Sequence, residues 1–266
     1  MDFRGIDAKI DRARNQVIAL SADIDEFCAN IRKAIVHEID TDAGEQKWVY
    51  RDAAPDVPME WSIRVGEILY NLRSALDHLV WQLVLANGNA PTQVNQFPIL
   101  DKEEEWTRAR AVVRGLKGVS EENKEIVRYL QPFNPFLQLP VDGEVRPCNA
   151  QVFRTLRDLC NIDKHRHLNL IFAGTGGIGP IVFGVNHPPR RPTTRPIEGK
   201  GRKGELKQDM ILLTVNDAEQ ELKPDFFIGV VFHSVQRKGL TKSSVVDQLR
   251  DCLAAVQGGC TLFRQK

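Results

Sequence analysis

The chain has 266 residues, with 36 basic against 35 acidic side chains and a formal net charge of +1. That length can bury a real core, and the near-neutral balance excludes a global field drawing the whole molecule onto nucleic acid or an anionic membrane. No apolar run reaches the ~20 residues of a membrane span, and five scattered cysteines (28, 148, 160, 252 and 260) argue against a disulfide framework. Met1 leads into a charged helical pattern rather than an export signal, so a cytoplasmic protein with no membrane partner is expected.

From Ile6 to Val36 the apolar residues keep a heptad period. Ile10, Val17, Ile24 and Ile31 recur every seven residues, with Ala13, Leu20, Phe27 and Ala34 three places after each. So narrow a stripe needs a partner helix, which is supplied either by a hairpin within the chain or by a homodimer through this helix. A short strand, Lys47-Trp-Val-Tyr-Arg51, precedes the breaks at Pro55 and Pro58. A second long helix follows from about Glu60 to Ala86 and stops at Asn87-Gly88-Asn89. Residues 97–143 read as short helices and loops around aromatic anchors, with Phe97-Pro98-Ile99 as a packing segment. A third helix covers about Asn149 to Lys164.

From Leu168 the pattern changes. Leu168–Ala173, Ile181–Val185, Met210–Val215 and Phe226–Val235 are β-branched, aromatic-rich runs bounded by Gly, Pro, Asn and Asp, and read as a small antiparallel sheet. A last amphipathic helix runs from about Ser243 to Val256. The expected fold is α+β: a helical bundle with two long helices in the N-terminal half plus a small C-terminal antiparallel β-sheet. One compact unit over 1–266 is expected, with a helical part at about 1–167 and the sheet plus last helix at about 168–266. Between the second and third strand runs, His187 to Lys207 carries Arg190, Arg191, Arg195, Lys200, Arg202 and Lys203 among prolines and glycines. It reads either as an arm contacting RNA phosphates or as a solvated hairpin extension.

At 100° per residue, the second helix places Glu67, Asn71, Ser74 and His78 on one polar stripe, opposite Val65, Ile68, Leu69, Leu72, Leu76 and Leu79. Tyr70 and Trp81 share that stripe, so part of it is expected to be covered. On the third helix Arg154, Arg157, Asn161, Lys164 and His165 form a second stripe, while Asp163 falls on the apolar side. Facing stripes would join Asn71, His78, Arg157, Lys164 and His165 into one polar cluster. In the simplest reading Arg73 and Asp77 are an i,i+4 pair and His78 belongs to a network that fixes helix register.

Asn71-Leu-Arg-Ser-Ala-Leu-Asp-His78 and Leu159-Cys-Asn-Ile-Asp-Lys-His-Arg166 resemble a widespread set of bacterial hypothetical proteins that share both signatures. The first segment also resembles the HEPN superfamily, whose ribonucleases carry an arginine, four to six residues, then a histidine on a helix. The resemblance implies a metal-independent RNA endonuclease in a toxin or antiphage setting. Arg73 would offset charge developing on the phosphate, and His78 would act as acid or base. Asn71 and Asp77 would orient them, with Lys164 and His165 as further members, and two copies would share one cleft. Val80 stands where a modified branch of that superfamily has a tyrosine, so that branch's acceptor role is not expected. The alternative is a non-catalytic binding or regulatory protein whose Arg73, Asp77 and His78 are structural.

Gly174-Thr-Gly-Gly-Ile-Gly179 lies between two strand runs and lacks a following Lys-Ser/Thr, so it reads as a turn rather than a phosphate cradle. The spacing of Cys148, Cys160, His165 and His167 fits no zinc pattern, and no cofactor or metal is expected. His37 is expected at the solvated end of the first helix.

Overall fold

The computed structural model describes residues 1–53, 56–165, 168, 170–177, 207–215, 225–232 and 244–264. The fold is α+β. Two compact units can be recognised: Met1–Leu20 with Met59–Leu168 and Val246–Lys266, and Ser21–Pro58 with Asn169–Val245. None of the helices among the described residues is long and apolar enough to cross a membrane.

The first unit is built on two long helices, the start of α1 (Arg4–Arg32) and α2 (Met59–Ala86). They run antiparallel. The Asp2 N–H donates to Gln82 at 3.0 Å, and fourteen residues along α1 the Gln16 amide donates to Glu67 at 2.9 Å. Ile6, Ile10, Ala13, Val17 and Leu20 are all buried, so this half of the heptad seam is covered within the chain. The apolar face of α2 is more completely enclosed: Val65, Ile68, Leu69, Leu72, Leu76, Leu79 and Leu83 have no measurable exposure. At about 1.5–3 kcal/mol for each large aliphatic side chain buried, this face is the main source of the unit's stability.

After α2 come a short 3-10 turn (Glu103–Glu105), α3 (Arg110–Gly115) and α4 (Glu121–Tyr129), the last begun by Ser120, whose hydroxyl accepts the Asn123 N–H. A hairpin of β3 (Leu137–Val141) and β4 (Glu144–Cys148) follows, its first strand in the stretch 97–143 read from sequence as helices and loops. Its turn is Asp142-Gly143, with φ of 51° and 83°, and Val141 pairs with Glu144 across it. Two consecutive left-handed residues give the twist that a two-residue hairpin loop needs, and Asp-Gly supplies them at low steric cost. α5 (Gln151–His165) packs on α2, and α6 (Val245–Thr261) closes the unit, crossing the hairpin at Gly258.

In the second unit, β1 (Ile35–Asp40) pairs with β2 (Glu45–Tyr50), and β2 pairs on its other edge with β6 (Met210–Val215). β5 (Leu170–Gly177) pairs separately with β7 (Asp225–Phe232). Two sequence expectations are corrected here. The first helix ends at Arg32, not near Val36, because Ile35, Val36 and Ile39 are β-branched residues that enter a strand turned at Gly44 (φ 64°). His37 is therefore not at a helix end; its ring stacks on Trp48, its cross-strand partner, at 4.3 Å and meets the buried Gln46 amide at 2.9 Å. The C-terminal strands are antiparallel as expected, but β6 completes the N-terminal hairpin instead of joining β5 and β7 in one sheet. The residues of the expected Ile181–Val185 strand lie outside the described ones.

A Cβ added at Gly258 would stand 2.8 Å from Leu139 Cβ, 3.1 Å from Val141 Cγ2 and 3.3 Å from the Pro140 carbonyl oxygen. Neither the hairpin backbone nor a β-carbon can swing aside. Gly258→Ala is therefore expected to lower stability by about 1–3 kcal/mol despite alanine's better helix propensity. Chemical denaturation of the variant checks this.

Candidate functional site

Arg73 and Asp77 lie one turn apart on α2, and their side chains leave the helix toward the segment that follows it. The Arg73 guanidinium donates to the Asp77 carboxylate at 3.0 Å and to the Phe97 carbonyl at 2.6 Å. The same Asp77 oxygen accepts the Phe97 N–H at 2.8 Å. The pair thus holds both backbone polar groups of one residue, and Phe97 stacks its buried ring on Phe153 of α5 at 6.3 Å.

The next residues repeat this arrangement. Gln131, with no exposed surface, donates to the Pro98 carbonyl at 3.0 Å and accepts the Leu100 N–H at 2.9 Å. Arg157 donates to the Ile99 carbonyl at 3.2 Å. Arg154 and Arg157 both bind Asp101, whose carboxyl burial pushes up but these two hydrogen bonds hold below its ordinary range. Residues 97–100 are thus buried outside any helix or strand, and side chains meet both polar groups of Phe97, the Pro98 and Ile99 carbonyls and the Leu100 N–H.

His78 points elsewhere. It projects over the first turns of α1, with its Nδ1 3.5 Å from where a Cβ on Gly5 would stand. Partial burial and the neighbouring Lys9 ammonium lower its pKa from the ordinary 6.5, against the opposing pull of Asp77. Asn71 faces α1 as well, donating to Gln16 at 3.3 Å. The polar stripe of α2 is therefore covered by α1 at Asn71 and His78, while Tyr70 and Trp81, whose positions suggested a cover, stay exposed. Tyr70 remains 65% exposed, with the Lys9 ammonium 5.8 Å from its ring centre.

The two polar stripes do not meet. α2 and α5 contact through their apolar sides, where the Cys160 thiol approaches the Leu69 carbonyl at 3.6 Å and is pushed up to about 11 by burial. Arg157 serves the 97–101 segment, Asn71 and His78 turn to α1, and Lys164 and His165 are exposed in the last turn of α5. Arg190, Arg191, Arg195, Lys200, Arg202 and Lys203 of the expected RNA-binding loop lie outside the described residues. Among the described residues, no group of three or more His, Cys, Asp or Glu is placed to hold a metal ion.

A cleft of about 500 Å³ opens between α1, α2 and the end of α5. Arg12, Gln16, Ile63, Gly66, Glu67, Tyr70, Asn71 and Asp163 line it. Asp163 is exposed and lies against Gly66, where a Cβ would come within 2.6 Å of both carboxylate oxygens. A mid-helix glycine costs about 1 kcal/mol against alanine, and here it is what lets the carboxylate lie against α2. This explains why Asp163 sits on the apolar side of its helix wheel. Arg12 and Gln16 were not singled out from sequence; their only signal is that they lie one turn apart, off the heptad seam. Comparison with protein-family models, curated proteins and solved structures finds no match.

Because the folded protein holds the His78 proton less tightly than an unfolded chain, His78 contributes stability above pH 6.5 that is lost as pH falls through its lowered midpoint. An NMR titration of the imidazole is expected to give a midpoint below 6.5, and Lys9→Gln is expected to move it part of the way back. A midpoint insensitive to Lys9→Gln would contradict the assigned electrostatic contribution.

Proposed function

We propose that this protein is a non-catalytic binding or regulatory protein in which Arg73 and Asp77 are structural. The observation that carries this reading is the bracket on Phe97. A metal-independent ribonuclease needs a cation free to meet charge developing on a phosphate, beside a histidine that moves the proton. Here the Arg73 guanidinium is already engaged by a carboxylate and a carbonyl, and His78 leaves α2 on another side. The cleft beside Tyr70 and Asn71 is then the natural place for a ligand.

A second reading rests on His78 itself. It is exposed, and its lowered pKa favours the neutral imidazole that a general base requires near pH 7. In that reading the chain is a HEPN-like RNA endonuclease of a toxin or antiphage system. A homodimer through α1 would pair two His78 residues, with Lys164, His165 and the basic loop engaging RNA.

Purified wild type, His78→Ala and Arg73→Ala, incubated with a mixed RNA pool in EDTA, separate the two. We expect no cleavage by any of them. Arg73→Ala is expected to lose about 2 kcal/mol of stability, since it removes a charged hydrogen bond and strands the Phe97 carbonyl. Cleavage by the wild type that disappears in His78→Ala at unchanged Tm would overturn this in favour of the endonuclease.

A further inference from the structure

We propose that the cleft between α1 and α2 binds a small zwitterion of the amino-acid type, with a carboxylate, an ammonium group and an apolar arm. The inference rests on the binding-protein reading above and names the ligand class of that cleft.

Three observations converge on this chemistry. The first is a pair of opposite charges that share the cleft without pairing to each other. Glu67 on α2 is bonded to the Gln16 amide, while Arg12, one turn before Gln16 on α1, has no hydrogen-bond or ion-pair partner among the described residues. Residues one turn apart on a helix have β-carbons about 5–6 Å apart, so the cation stands one turn of α1 from the glutamine that holds the acid, and both line the same cleft. The second is the exposure of the apolar wall: Tyr70 is 65% and Ile63 52% exposed on the cleft side of α2. The third is the seating of Asp163 on Gly66, which adds a carboxylate to the α2 side of the same cleft.

Charge then selects the ligand. A polyanion would meet Arg12 but also Glu67 and Asp163, and a simple cation would leave the Arg12 guanidinium unmet. A molecule carrying both charges satisfies both walls. Its carboxylate takes the guanidinium, whose planar fork matches carboxylate geometry. Its ammonium takes Glu67, with the Asn71 amide beside it, and its apolar arm covers Tyr70 and Ile63. A volume of about 500 Å³ suits a molecule of this size.

The test is a calorimetric titration of the full chain with L-phenylalanine, L-leucine and glycyl-phenylalanine, alongside phenethylamine (amine only) and 3-phenylpropionate (carboxylate only). At least one zwitterion is expected to bind saturably, with both single-charge compounds about ten-fold weaker or more. Arg12→Gln and Glu67→Gln are each expected to weaken that zwitterion about ten-fold at unchanged Tm, since each loses one charge-assisted contact. No saturation by any zwitterion up to about 10 mM, equal binding of a single-charge compound, or indifference to both substitutions would overturn the proposal. The RNA assay reads none of these quantities, so a failed titration with no RNA cleavage removes the ligand class and leaves the non-nuclease reading standing.

Discussion

The first unit depends on satisfying a buried backbone. Residues 97–100 run through the interior outside any helix or strand, and a buried peptide group there without a hydrogen bond would cost about 1–3 kcal/mol. A sheet would meet this demand with a neighbouring strand. Here side chains from two helices and the turn after a third do it: Arg73 and Asp77 from α2, Arg157 from α5, and Gln131 just past α4. Each of these residues is long or polar enough to look functional in a sequence, and each has its position fixed by a carbonyl or an N–H of this one segment. The ring of Phe97, anchored on Phe153, keeps the segment in register while those bonds form.

That constraint explains why the helix motif divides in two. Arg73 and His78 are five residues apart, about 140° around an α-helix, so within one chain they serve different neighbours. Arg73, on the flank of the apolar face, is within reach of the following segment, while His78, in the polar stripe, is within reach of α1. Asp77 lies between them and takes the Arg73 side, while partial burial and then the Lys9 ammonium lower the pKa of the imidazole. The arginine is thus fixed by backbone chemistry and the histidine tuned by partial burial and a neighbouring ammonium, two independent environments on one helix.

Much of the architecture was legible because it rests on periodicity. The heptad positions from Ile10 to Leu20, the apolar face of α2, and Met210–Val215 as a strand follow from spacing that tertiary contacts reinforce. Two short elements were missed although local signals existed: the Asp142-Gly143 hairpin between alternating Leu137, Leu139 and Val141, and the β-branched run at Ile35 that ends the helix. The pairing of β6 with β2 was not legible, since nothing in either strand names its partner. The same limit applied to the site. Helix wheels gave the right faces for Asn71, His78 and Arg157, but not which neighbour each face would meet, because that depends on how α1, α5 and the 97–101 segment close around α2.

α1 brings these points together, because its two kinds of residue do opposite things. Its seam residues pack inward and hold it against the chain, which fixes the helix's rotation. With rotation fixed, the residues just off the seam have no freedom to choose their direction: Lys9, Arg12 and Gln16 must all lie along the polar stripe of α2. Gln16 then joins Glu67 and Asn71 into one hydrogen-bonded wall, and Lys9 sits over Tyr70 beside His78. Arg12 is left without a partner among the described residues, on the cleft that Asp163 also lines. Arg12 and Glu67 thus line one cleft without a bond between them. Keeping them apart by one glutamine, beside an exposed aromatic ring, gives the cleft its chemical character.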